Sequence, residues 1–216
     1  MKRLLANPRN RVDQRAVLRA RLLDMILADW DRRHDDQWRW LAYPRPGGGL
    51  LFRAVPRDRG QAFFVNQGIL PRVANAGYLL PRLQGFVFSF CNVNTFNSQA
   101  RHFDRSFLSG LSQEDWRAVA DSVQASLDDS VLTQALRQWP DSIYHLSGPL
   151  VLAKLKAHRD RLPTWTGQYY RFLARQVGVG GTDEDGYFEV LRQAGDRTRV
   201  TMYPLGPGGK PGPLHH

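Results

Sequence analysis

Five aspartates, Asp24, Asp29, Asp31, Asp35 and Asp36, crowd between Leu22 and Trp40 of a chain whose formal charge is +10. Like charges packed this closely repel, so the stretch has to be divided between buried, paired acids and acids presented to a ligand. The flanking pattern says how the chain delivers them. Residues Val12 to Leu27 repeat apolar side chains at helical spacing, with Leu18, Leu22 and Met25 or Ile26 on one face, which predicts a helix. Asp24 falls mid-helix among apolar neighbours and reads as a buried, paired acid. Gln37 to Tyr43 alternates as a strand, and Leu50 to Val55 reads as a second. The turn Pro44-Arg-Pro-Gly-Gly-Gly49 between them can close a β-hairpin, which would return Asp58, in Pro56-Arg-Asp-Arg59, to the side of Asp31.

The order helix, Asp-bearing loop, hairpin, Asp resembles the C-terminal lobe of the protein-kinase-like fold. The spelling Asp29-Trp-Asp-Arg-Arg-His34 is similar to the atypical branch, the HipA-type, CotH-type and Golgi secretory kinases. A narrower resemblance runs from about Arg15 to Tyr203. It is carried by Asp24-Met-Ile-Leu-Ala-Asp-Trp-Asp-Arg32, Asp36-Gln-Trp-Arg-Trp40, Pro56-Arg-Asp-Arg-Gly-Gln-Ala-Phe63 and Leu155-Lys-Ala-His-Arg-Asp-Arg-Leu-Pro163. These stretches look like a segment of large bacterial envelope proteins that join a metallophosphoesterase to a BamA/TamA-like barrel.

The resemblance implies a site. Asp31 would orient or deprotonate an acceptor hydroxyl, Arg32 would neutralise charge beside it, and Asp58 with either Asp36 or Gln37 would hold Mg²⁺ against the phosphates of ATP. Asp36 and Gln37 stay open as the second metal position because Arg32-Arg33-His34-Asp35-Asp36-Gln37 is one residue longer than the family's loop. Gly60 stands where the family has a second acid after Asp58. The resemblance also sets Asp104 behind the catalytic loop; taken from the residues alone, Asp104 is a solvated loop acid.

The implied fold is α+β and mainly helical, a protein-kinase-like C-terminal lobe with a catalytic-loop β-hairpin and a C-terminal β-hairpin. At 42% hydrophobic over 216 residues the chain can bury the core of one domain, 1–203, followed by a Gly/Pro tail, 204–216, expected to be disordered. After a long Gly/Pro-interrupted loop over 66–83, Phe86 to Phe90 alternates as a strand. Ser112-Gln-Glu-Asp115 is a capping box opening a helix, and Asp128 or Asp129 can cap the next, which Pro140 ends. His145 to Arg161 and Trp165 to Val177 then read as two helices parted by Pro163. Tyr187 to Gln193 and Thr198 to Tyr203 make the last hairpin.

Composition narrows the alternatives. The cations are nearly all arginine, with only Lys2, Lys154, Lys156 and Lys210. They scatter along the chain and form no block, which argues against a nucleic-acid partner. The lone Cys91 excludes an intrachain disulfide framework and a cysteine-based zinc site. No apolar run is long enough to span a bilayer, and the first residues lack the apolar centre of a secretory signal. As written the chain would stay cytoplasmic, although the parent family is periplasmic or outer-membrane associated. No glycine precedes Gly47, and Lys2 is the sole lysine ahead of Asp31. The Gly-rich loop and strand lysine that clamp ATP are therefore not ahead of the catalytic loop. The expectation is a fragment or remnant of an atypical kinase-like phosphotransferase, inactive alone and completed by an N-lobe or by envelope domains of the parent. The competing expectation is a non-catalytic helical interaction module of an envelope protein.

Overall fold

In the computed structural model the described residues are 7, 9–33, 37–65, 84–177, 185–195 and 197–213. They form a mainly helical α+β protein. Where the sequence reads one domain over 1–203, contacts group the chain into two compact units: Met1–Val12 with Ala42–Phe52 and Gly178–His216, and Asp13–Leu41 with Arg53–Val177.

The second unit holds the helices. Asp13 accepts from the Ala16 amide at 2.9 Å and starts α1, Gln14–Leu27, two residues later than apolar spacing alone suggests. Val12 instead belongs to β1, Arg11–Val12, which runs parallel to β3, Leu50–Pro56. In the three-stranded sheet β3 lies between β1 and β2, Trp38–Pro44, so the predicted hairpin is present. Gly47, Gly48 and Gly49 all take positive φ in its turn, and a Cβ at Gly49 would lie 2.3 Å from the Arg9 carbonyl oxygen. The tip of the hairpin belongs to the first unit and its base to the second.

Phe86 to Phe90 is not a strand. The segment has no ladder partner among the described residues. Its carbonyl groups turn to side chains, with Phe86 O accepting from Lys154 Nζ at 2.7 Å and Val87 O lying 2.5 Å from His158 Nε2. A short turn, α2 (Val93–Phe96), leads to α3 (Arg101–Leu108), α4 (Gln113–Ser126) and α5 (Asp129–Leu136). Ser112 and Asp115 form the predicted capping box on α4, and Asp128 caps α5.

The two helices expected on either side of Pro163 are one. α6 runs Asp141–Leu173, with Pro149 and Pro163 inside it. An internal proline costs about 3 kcal/mol. Here Leu155, His158, Leu162, Trp165, Tyr169 and Leu173 continue a single buried stripe, three or four residues apart, across Pro163. Both halves therefore bury against the same core, and packing outweighs the lost hydrogen bond. That core includes Phe90 stacked on Phe96 at 4.1 Å and Trp38 stacked on Phe103 at 4.4 Å. Trp38 is thus a core residue.

In the first unit β4, Gly186–Gln193, pairs antiparallel with β5, Arg197–Pro204, as read from sequence. The chain from Leu205 to Pro213, assigned to a disordered tail, contains a 3₁₀ turn at Pro207–Gly209 and a bridge between Leu205 and Pro211.

Candidate functional site

α1 ends in a left-handed turn at Ala28, φ 56°, where the Asp29 amide reaches back to Asp24 O at 2.8 Å. This is the usual helix stop with alanine where glycine is preferred. Two other non-glycine residues with positive φ, Asp58 and Phe63, sit in the segment after β3. The Phe63 amide donates to Leu27 O at 2.9 Å, which ties that segment to the same helix end. Strain of this kind persists where surrounding contacts over-determine the backbone, and it concentrates at functional loops.

What over-determines it here is a buried ion network. Asp24, 0 % exposed, receives Arg21 Nη1 at 3.0 Å, Arg32 Nε at 2.8 Å, Arg32 Nη2 at 3.1 Å and Arg59 Nη2 at 3.0 Å. Arg32 also donates to Asp29 at 2.8 Å and to the backbone oxygens of Arg57 and Asp58 at 2.5 and 2.8 Å. All five N–H donors of Arg32 are thereby used inside the protein, and the residue is 0 % exposed. Arg21 extends the network through Nε to Asp104 at 3.0 Å and through Nη2 to Asn97 at 2.7 Å, and Tyr169 donates its hydroxyl to Asp104 at 2.7 Å. Asp104 is therefore a fully buried helical acid and not a solvated loop residue.

Burial shifts these groups. It pushes Asp29 up to about 6 against the pull of Arg32, and it raises Asp104 in spite of the Arg21 guanidinium beside it. Burial also opposes the Arg21 charge, but the neighbouring Asp104 and Asp24 outweigh it and hold the guanidinium protonated.

Outside this buried cluster lie Asp31, read as the catalytic acid, and the described residues read as metal-binding. Asp31, the neighbour of Arg32, accepts Arg33 Nε at 3.1 Å and Nη2 at 3.2 Å, and its side chain is 16% exposed. Asp58 is exposed; its Oδ1 accepts the Gly60 amide at 3.0 Å, the small loop formed where the second acid is replaced. Gln37 is buried, its Oε1 accepting the Arg33 amide at 3.1 Å and its carbonyl oxygen the Arg57 amide at 2.7 Å. Asp36 lies outside the described residues. The structure thus brings the Asp31 loop, Gln37 and the backbone of Asp58 together through Arg32 and Arg57.

Mg²⁺ is commonly held by one or two carboxylates, with waters and phosphate oxygens completing the shell. Exposed Asp58 and partly exposed Asp31 suit that donor chemistry; Gln37, its amide oxygen already accepting from Arg33, suits it less. Among the described residues no group of three His, Cys, Asp or Glu side chains is placed to hold a metal without such added ligands. The sequence missed Arg21 and Arg59 as partners of Asp24. Arg21 was detectable, since an arginine three residues before a buried aspartate on one helix can reach it. Arg59 and Asn97 had no local signal. No family model, curated protein or solved structure matches this chain.

Proposed function

We propose that this chain carries the acidic half of an atypical kinase-like, Mg²⁺-dependent phosphotransferase site. In this proposal Asp31 orients or deprotonates the acceptor hydroxyl, and Asp58, with Asp36 or Gln37, is the metal-binding side. Arg32 has no donor left for substrate, so its part is to position. It fixes the loop before the hairpin against the segment after it, and the supporting observation is this pair of bonds to the Arg57 and Asp58 carbonyls. Bound Mg²⁺ would neutralise the ATP phosphates. Fixed geometry and fixed charge are the means by which such sites act. The Gly-rich loop and lysine that clamp nucleotide are supplied in this proposal by another segment or chain, an N-lobe or envelope domain, and the chain alone transfers little or no phosphate.

Calorimetric titration with Mg²⁺-ATP of the wild type and of Asp58→Ala tests this. Weak binding that disappears in the variant is expected, whereas micromolar affinity indifferent to the substitution contradicts it.

A second reading, a helical interaction module in an envelope protein, is favoured by a separate observation. Ile143, Leu146 and Leu150 form an exposed apolar stripe on α6, with Leu146 81% exposed. Among the described residues no helix is long and apolar enough to cross a membrane.

A further inference from the structure

His158, in the middle of α6, is 0 % exposed, and both of its ring nitrogens face backbone carbonyl groups. Nδ1 lies 2.8 Å from Ile26 O in the last turn of α1, and Nε2 lies 2.5 Å from Val87 O in the 84–90 segment. The side chain therefore bridges three stretches of chain that are far apart in sequence. Around the ring stand Phe86, Phe90 and Trp165, with centroids 5.2, 5.0 and 5.1 Å away. The bridged segment is bonded onward, its Phe86 amide donating to Phe64 O at 2.6 Å.

A neutral imidazole has one N–H and donates to one of the two oxygens, whereas an imidazolium donates to both. The charges around the ring decide between them. On α6, Lys154 and Arg161 lie about one turn away on either side and oppose a further positive charge, and Asp160 is paired with its neighbour Arg159. The 84–90 segment, residues 63–65 and α2 carry no titratable side chain. At the end of α1 and just after it the acids are Asp24 and Asp29, both held by Arg32. Among these elements no carboxylate is free to compensate a charged ring, and a buried charge without a counter-ion costs more than one added hydrogen bond returns. Burial accordingly pulls His158 below its ordinary value, against the pull of the two carbonyl groups.

We propose that His158 is a proton-operated latch: as a neutral ring it seats the 84–90 segment against α1 and α6, and a proton on the ring loosens that seat. The latch does not depend on phosphotransfer, since none of its residues lies in the Asp31 loop or at Asp58. With the folded value depressed, the ring contributes stability that is complete above pH 6.5, the ordinary value, and is lost as pH falls through the folded one. Asp29 has the opposite sign, because its folded value is raised, so it cannot be the source of a loosening in acid.

The test is hydrogen exchange by NMR on the full chain between pH 7.5 and pH 5, read as protection factors, with the His158 ring followed through its ¹⁵N shifts. The amides of Phe86 and Cys91, bonded to Phe64 O and to Gln84 Oε1, should lose protection by about threefold or more in step with the ring's titration, while the amides of α4 keep theirs. His158→Gln retains an N–H donor and cannot titrate, so in that variant the same protection should not vary with pH. Five results would each overturn the proposal: a ring already doubly protonated at pH 7.5, a ring still neutral at pH 5, protection that holds or rises as the ring titrates, an equal loss in α4, or a folded His158→Gln that loses protection as the wild type does. The wild-type measurements decide the matter even where His158→Gln does not fold.

Discussion

The aspartates of this chain divide into two populations. Asp24, Asp29 and Asp104 are at most 1 % exposed and are met by Arg21, Arg32, Arg59 and Tyr169. Asp31, in the loop after α1, and Asp58, in the segment after β3, lie beside this network but reach solvent; among the described residues their side chains meet Arg33 and the Gly60 amide. The difference shows one residue type doing two jobs. The buried acids are matched to cations and build a scaffold; the outer acids are carried by it and are left available. Arg32 sits at the junction, its side chain wholly in the first group and its backbone next to Asp31.

The largest effect should come from breaking the scaffold. Arg32→Met leaves Asp24 and Asp29 buried beside a missing cation and should cost about 3–5 kcal/mol in urea unfolding, the penalty for an uncompensated buried charge. A loss below about 1 kcal/mol would mean that the network relaxes into water and that the two populations are not distinct.

Next is pH. Asp29 rises from 3.8 to about 6 in the folded protein, chiefly through burial. The folded state then holds this proton more tightly than the unfolded chain. The stability Asp29 contributes is complete below pH 3.8 and is lost as pH rises through about 6. Comparing Asp29→Asn with wild type should show the balance moving toward the variant by about 1–2 kcal/mol between pH 4 and 7. A flat difference would place Asp29 with the outer acids.

Asp31→Asn and Asp58→Asn should be nearly silent in the same unfolding assay, within about 0.5 kcal/mol, because neither removes a buried partner and asparagine tolerates the positive φ of Asp58. A loss near that of Arg32→Met would merge the two groups. Smallest of all should be Asp129→Ala, with no measurable change in the same unfolding assay. Asp129 is exposed, and although Lys156 and Arg159 hold its carboxyl below the usual range, pairs in water add little.

Much of this division was legible before any coordinates. Helical spacing around Asp24 gave its burial, and the turn of three glycines gave the hairpin that returns Asp58 toward the loop. What stayed hidden came from distance along the chain. Asp104 takes its character from Arg21 and Tyr169, neither of which is near it in sequence. Pro163 signals a break locally, yet the buried stripe on both sides keeps α6 whole. Phe86 to Phe90 has the alternation of a strand but joins no ladder among the described residues, and α6 side chains take the carbonyl groups of Phe86 and Val87. Local pattern states a preference, and tertiary partners decide among preferences.

The most direct test of whether the outer acids form one site is paramagnetic NMR with Mn²⁺ as a stand-in for Mg²⁺. Amide signals of residues 31–33 and 57–60 should broaden together at low Mn²⁺, and Asp58→Asn should abolish the broadening at both segments. Broadening of one segment without the other, or broadening that survives Asp58→Asn, would contradict a shared metal site and leave the buried arginine network as scaffold alone.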